Sequence, residues 1–398
     1  MVSIFTFVSV RGSLFCVRFI EAPSNSFSVP IIVHHGTTTT CSQGIIARAN
    51  WWGWVGGPRR SLFFNRFRHS EIAGPFLAKE ACRLEKLALL YWTSNVSPRT
   101  VTKLRISIVQ YLNTAPLVWG FTNGPLRGKY DLSFTVPSQC ADDLRSGKAD
   151  IAIIPAIEYQ RIEDLVILPD MAIASKRQVR SLLIIAKKPI EQVRRFALDA
   201  SSCSTQTLTR ILCAEKWKIA PQFFEAPPDL PAMLNQAEAV LLIGDPALRI
   251  AVGIERESWP GAEGQIICQA AALGITSVET LYVYDVVGEW RSLTGLPAVL
   301  AMWTARRDVA TPEVAADFLA SRDFGLSRVT EICFDAAREL ELPQRTLESY
   351  LRHNIDFSLD EENRRGLELY FTHAAKLGLI PQSKPVEWAA TKAEAVKL

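Results

Sequence analysis

The side chains best suited to holding or turning over a small polar ligand sit where apolar runs give way to loops. Tyr111, Asn113 and Thr114 belong to Tyr111-Leu112-Asn113-Thr114-Ala115-Pro116-Leu117, which directly follows an apolar stretch at 104–109. Leu104, Ile106, Ile108 and Val109 have the β-rich, half-alternating pattern of a buried strand. Pro116 disfavours helical backbone at Ala115. An amide and a hydroxyl are therefore expected on non-helical chain at a strand's carboxyl end, where open α/β sheets bind ligands. The same seven residues would also serve as a plain turn.

A second candidate is Ser201-Ser202-Cys203-Ser204-Thr205, which leads into a helix expected to reach about 218. Unpaired amides and the dipole at a helix start favour an anion. Ordinary capping would need only one of these hydroxyls, and Ser202, Ser204 and Thr205 are the carboxylate-binding candidates. Asp245 closes another apolar run at 237–243 and precedes Pro246. It could accept from a ligand hydroxyl or simply cap a helix at 247–250. Ser138 is expected to cap a helix ending near 146, with Gly147 as its stop, or to face a ligand. Ser181 lies in the apolar run 179–186, where its hydroxyl can face a cleft or bond to backbone. Lys176, Arg177 and Arg180 could steer an anion or form a solvated patch.

Other chemistries find little support. The five histidines are 34, 35, 69, 353 and 373, so a His-based triad or zinc site is not expected. The eight cysteines form no CxxC pair or metal-ligand spacing and read as reduced thiols. Neither GxGxxG nor GxxxxGK[ST] occurs. No metal or cofactor is expected.

The 398-residue chain is long enough for two or three domains. Its net charge of +3 is unevenly spread: 1–102 has eleven Lys and Arg, four Glu and no Asp. The acidic remainder argues against a nucleic-acid partner, and no apolar run reaches membrane-spanning length. Residues 1–102, with Trp51, Trp52 and Trp54 close together, read as an extension without a domain pattern, disordered or an over-extended start. Only 76–91 shows a helical stripe. From 103 onward the pattern is regular, with strands at 104–109, 131–136, 149–154, 179–186, 195–199, 222–225, 237–243 and 296–304 and helices between. That alternation implies βαβ units and a mostly parallel sheet. One set interrupted by another predicts an α/β protein of two lobes, 103–188 plus 296–382 and 189–295, with 383–398 as a frayed tail. The crossovers would lie near 186–189 and 293–296, and ligand would bind in the cleft between the lobes.

Taken together, five segments resemble the chorismate dehydratase family of the futalosine route to menaquinone. They are 111–117, 147–159 (GKADIAIIPAIEY), 201–205, 243–248 (IGDPAL) and 290–297 (WRSLTGLP), within a match over about 103–382. The resemblance implies a type 2 periplasmic-binding-protein fold in a cytoplasmic enzyme. It also implies conversion of chorismate to 3-[(1-carboxyvinyl)oxy]benzoate and water. A sister family in that pathway uses a catalytic His, whereas this chain has none in the lobes before His353. With no His base, the substrate's own enolpyruvyl carboxylate is the expected proton acceptor. Asn113 and Ser181 would be catalytic, with Tyr111, Thr114, Ser138, Ser202, Ser204, Thr205 and Asp245 binding substrate. The rival expectation is a non-catalytic binding protein for a small carboxylate, which would share the fold; the lack of a secretory signal pattern weighs against it. Deleting 1–102 is expected to leave folding and activity nearly unchanged. An insoluble truncated protein, or a melting midpoint lower by many degrees, would make the segment structural.

Overall fold

The computed structural model describes residues 3–10, 13–20, 28–33, 45–50, 103–254, 258–260, 266–273, 275–276 and 278–390. The chain divides into two units, Met1–Thr100 and Val101–Leu398. In the first, β1 (Ser3–Val10) pairs antiparallel with β2 (Ser13–Ile20), and β3 (Ser28–Val33) with β4 (Ile45–Asn50). The sequence reading placed no strand here, although Ile4-Phe5-Thr6-Phe7-Val8 has the aromatic and β-branched content that favours one. The helical stripe read at 76–91 lies outside the described residues.

The second unit holds two mixed sheets. In the first lobe, β5 (Arg105–Val109), β6 (Asp131–Thr135), β7 (Ile151–Pro155) and β8 (Leu165–Ser175) precede the crossover. In the second lobe follow β9 (Leu182–Ala186), β10 (Arg195–Asp199), β11 (Gln222–Ala226), β12 (Ala239–Ile243), β13 (Ser258–Pro260), β14 (Ile266–Gln269) and β15 (Thr280–Asp285). The chain then returns to the first lobe as β16 (Ala298–Arg306). The strand orders are β6-β5-β7-β16-β8 and β11-β10-β12-β9-β15-β14-β13. β5 runs parallel to β6 and β7, and β10 parallel to β11 and β12, while β9 and β16 run antiparallel to their neighbours. The two-lobed, binding-protein-like α/β class expected from the sequence is the fold observed.

Lobe boundaries differ from expectation. β9 was expected in the first lobe, but it pairs with β12 and β15 and so belongs to the second. The first crossover is therefore 176–181, not 186–189. The cause is β8, an eleven-residue strand absent from the sequence reading, which completes the first sheet before the chain leaves it. The second crossover follows the helix Val286–Thr294, whose end is closed by Gly295 at φ +73.

The expected frayed tail is, over 381–390, part of the first lobe. Ile167 N–H donates to the Glu387 carbonyl at 2.8 Å, Ala389 N–H to the Ile167 carbonyl at 2.9 Å, and Arg364 lies 4.3 Å from the Trp388 ring centre. Val386 and Trp388 alternate with polar neighbours, giving this short stretch one apolar face to lay on the sheet edge.

Packing fixes the loop that carries Asn113. The helix Ala115–Thr122 crosses Pro312–Leu326 so closely that a Cβ on Gly325 would lie 2.0 Å from the Pro116 carbonyl oxygen. Ser321 Oγ donates to the Leu117 carbonyl at 2.9 Å in the same crossing. Against expectation Ala115 is helical, at φ −52 and ψ −44. The tertiary crossing outweighs the local bias exerted by Pro116.

One carboxylate ties both crossovers together. Asp285 Oδ1 accepts from Val179 N–H at 3.2 Å, and Oδ2 from Arg180 N–H at 2.6 Å. Oδ1 also caps the helix Val286–Thr294 through Val287 N–H at 3.1 Å and Gly288 N–H at 2.9 Å. Arg180 is held at φ +64, a left-handed conformation costly for a side-chain-bearing residue. Asp285→Ala would strip these amides of their acceptor and should destabilise the chain by about 2–4 kcal/mol. Urea unfolding checks this, and an unchanged midpoint would show that the clamp contributes nothing.

Candidate functional site

The sheets present the same edge to the cleft: the carboxyl ends of β5, β7, β10 and β12, and the start of β9. β5 leads into a short 3-10 turn, Leu112–Thr114, in which Asn113 and Thr114 are buried. β10 ends at Asp199, which is fully buried. Its Oδ1 accepts from Ser201 N–H at 2.9 Å and Ser201 Oγ at 2.7 Å, and its Oδ2 from Ile243 N–H at 3.2 Å. Burial pushes this carboxyl above its ordinary range, and these hydrogen bonds oppose the shift. Asp199 thus joins the ends of β10 and β12 and shapes the Ser201–Thr205 loop.

Three first-lobe amides donate across the cleft. Leu112 N–H donates to the Asp245 carboxylate at 3.1 and 3.3 Å, Ser138 N–H to the Ser201 carbonyl at 3.2 Å, and Ile157 N–H to Ser204 Oγ at 3.1 Å. Tyr111 Oη lies 3.4 Å from Ser201 Oγ. Its ring lies against Gly244, where a Cβ would sit 2.6 Å from the aromatic carbons; at φ +66 that position requires glycine on both counts.

Between the lobes is a cavity of about 50 Å³, lined in part by Tyr111, Asn113, Ser202, Ser204 and Thr205. Ile173, Leu182, Ile243 and Leu300 supply apolar wall, and none of the lining residues carries a charge. Small-molecule sites usually measure hundreds of cubic ångströms. The cleft described here is therefore a closed state, and the lobes must part to admit a metabolite.

The remaining candidates lie at the margin. Ser181 is fully buried in the first crossover, and its Oγ accepts from Tyr350 Oη at 2.8 Å. Ser138 does not cap its helix: Val136 holds the cap position and Pro137 the first turn, leaving Ser138 inside it. Asp245 neither precedes nor caps its helix, because the helix begins at Gly244. Its carboxylate serves the opposite lobe instead. Ser204 likewise makes no cap bond and accepts from the other lobe. Lys176 pairs with Asp356, Asp360 and Glu362, so it is committed to structure. Among the described residues no cluster of His, Cys, Asp and Glu could hold a metal, and no helix is long and apolar enough to cross a membrane.

Sequence reasoning missed Asp199, Tyr350 and Tyr370. Tyr370 Oη donates to the Ser204 carbonyl at 3.0 Å, holding the helix start from the carboxy-terminal helix Glu361–Lys376. Asp199 carried a signal, being an acid closing an apolar strand beside a serine run. The two tyrosines carried none, since each reaches its partner from more than 160 residues away.

The two lobes of the α/β frame enclose a neutral, hydroxyl-lined cleft. The chain belongs to the menaquinone biosynthesis family, whose model matches residues 104–376. It is 27% identical over 282 residues to chorismate dehydratase from Thermus thermophilus, covering 70% of this chain and 98% of that one. Among solved structures it is similar to protein AF1704 from Archaeoglobus fulgidus, with a TM-score of 0.54 and 18% identity over 71% of this chain and 100% of that one. It is also similar to the periplasmic aliphatic sulphonate binding protein SsuA from Escherichia coli, with a TM-score of 0.47, 15% identity and coverage of 74% and 96%.

Closure buries Asp245 and pushes its carboxyl up to about 6, with desolvation outweighing the Leu112 bond and the attraction of Arg249. In an open cleft the solvated carboxyl would titrate near 4. The closed form therefore holds this proton more tightly. Its advantage is fully present below about pH 4 and is lost as pH rises through about 6. Small-angle scattering should show the chain more compact as pH falls across that window, and Asp245→Asn should flatten the change. An identical profile in the variant would remove Asp245 from the closure equilibrium.

Proposed function

We propose that this chain is a chorismate dehydratase, a hydro-lyase converting chorismate to 3-[(1-carboxyvinyl)oxy]benzoate and water in the futalosine route, and that it works in the cytoplasm. The observation that carries this reading is the uncharged cleft, with Asn113 on one side and Ser202 and Thr205 at a helix start on the other. The proton to be lost sits on the ether-bearing ring carbon, conjugated through a ring double bond to a carboxylate. Negative charge delocalises into that system as the proton leaves. Departure of the neighbouring hydroxyl then makes the ring aromatic, and proton and hydroxide together balance as water.

Such an elimination needs only a modest base, and a positioned base contributes roughly 10²–10⁴-fold. The neutral lining supports the substrate's enolpyruvyl carboxylate in that role. An Arg or Lys paired to it would hold its pKa down and blunt it, whereas amide and hydroxyl groups orient it with less penalty. In this mechanism Asn113 and Ser181 orient the enolpyruvyl group and polarise the leaving hydroxyl. Ser202, Thr205 and the amides opening the helix Ser204–Ile211 hold the ring carboxylate. Ser204 instead latches the lobes through Ile157, and Asp245 through Leu112.

Incubating the purified chain with chorismate tests the reading, with chromatography and mass spectrometry following loss of one water and appearance of an aromatic product. Asn113→Ala should lower kcat by roughly 10²–10³-fold, the scale for losing one preorganised polar group. Tight binding of chorismate without conversion would instead make this a carboxylate-binding protein. A folded Asn113→Ala variant at parental rate would remove Asn113 from the chemical step.

A further inference from the structure

We propose that Tyr350 is a positioning residue whose phenol hydroxyl fixes Ser181 and Asn113 relative to each other, so that Ser181 presents its proton to the reacting ligand. The inference rests on the dehydratase reading and adds to it a residue that touches no substrate. Tyr350 opens a wide helical turn, Tyr350–Asn354, after the helix Gln344–Ser349 and is buried to 1% exposure. Its Oη donates to Ser181 Oγ at 2.8 Å, and the Asn113 side chain is a polar neighbour of the same phenol that lowers its pKa against the pull of burial. A phenol has one proton to give and lone pairs to accept with. Since Tyr350 donates to Ser181, it can engage Asn113 only as an acceptor from the amide nitrogen. The Asn113 carbonyl oxygen accepts from Thr114 Oγ1 at 3.5 Å.

The order of donation is then Asn113 to Tyr350 to Ser181. Each bond strengthens the next in a buried chain, and the Ser181 proton is turned away from the phenol. Burial raises the phenol's pKa, so the group stays protonated and remains a donor at neutral pH. The three residues come from separate segments: the loop after β5, the first crossover and a carboxy-terminal turn. Asn354 in the same turn donates through Nδ2 to the Gln178 carbonyl at 2.9 Å, which pins that turn to the crossover. The phenol therefore keeps Ser181 in register with Asn113 where the chain passes between lobes.

Tyr350→Phe removes the hydroxyl and keeps the ring. With the parent converting chorismate, kcat should fall by about 10- to 100-fold, KM should stay within about threefold, and the melting temperature within a few degrees. If Tyr350 acts through its two partners, the loss is not additive: Tyr350→Phe placed on Ser181→Ala should cost much less than on the parent. Unchanged kcat, or a fully additive loss accompanied by raised KM, would overturn the positioning role and leave the dehydratase reading intact. A parent that never converts chorismate overturns that reading and this proposal with it. Should Tyr350→Phe fail to fold, fluorotyrosine at 350 keeps the shape and makes the phenol a stronger donor; kcat must then shift while KM does not, and a constant kcat overturns the proposal.

Discussion

The structure of the lobes depends on where the chain passes between them, and there on one carboxylate. Asp285 ends the last long strand of the second lobe, so its side chain can hold the outward passage and the start of the helix that leads back. Its acceptors take up the Val179 and Arg180 amides of the outward crossover while capping the helix that leads back. Holding Arg180 in a left-handed conformation costs energy, and the bond to its amide offsets that cost. Ser181 comes next in the chain. Its placement at the cleft edge is thus a consequence of the clamp, as is the bond from Tyr350 that reaches it.

Charge is arranged with the same economy. The cavity is lined by neutral groups, while acids stand just behind or beside it. Asp199 is spent on the backbone of its own lobe, and Asp245 on the backbone of the other. Glu158, buried beside Ile157, is neutralised by Arg145 and by Arg161 at 2.7 Å. A carboxylate ligand in this cavity meets hydroxyls and helix-start amides rather than unpaired like charge, and no guanidinium is among the lining residues to quench a carboxylate acting as a base.

The sequence made the strands next to the site legible because each combines an apolar run with an abrupt polar end. Tyr111, Asn113, Ser202, Ser204 and Thr205 line one cavity for that reason. β8 was not legible: Pro169 and Asp170 interrupt it, and Asp170 takes a positive φ, so its eleven residues do not read as one strand. Missing it shifted the first crossover by some ten residues. Roles were harder to read than places. Whether Asp245 and Ser204 cap a helix, hold a ligand or reach another lobe depends on what tertiary structure brings opposite, and sequence spacing carries no record of that. Tyr350 and Tyr370 are the extreme case, identifiable only once distant helices dock.

At the cleft the lobes meet through three backbone donors. The helical turns that follow β5, β6 and β7 each contribute one amide donor, from Leu112, Ser138 and Ile157. At these three contacts the second lobe answers with oxygens, a carboxylate, a carbonyl and a hydroxyl, while Arg249 donates the other way to the Leu340 and Glu339 carbonyls. In the closed cleft these donors are satisfied by protein. When the lobes part, the same three N–H groups at neighbouring strand ends are exposed, and buried or half-buried donors demand acceptors. On closing, Asp245, Ser201 and Ser204 take them up again, so these amides latch the lobes without requiring an acceptor from the ligand. Holding a ligand is therefore left to the neutral groups that line the cavity, the Asn113 amide and the Ser202 and Thr205 hydroxyls, with no positive side chain among the lining residues.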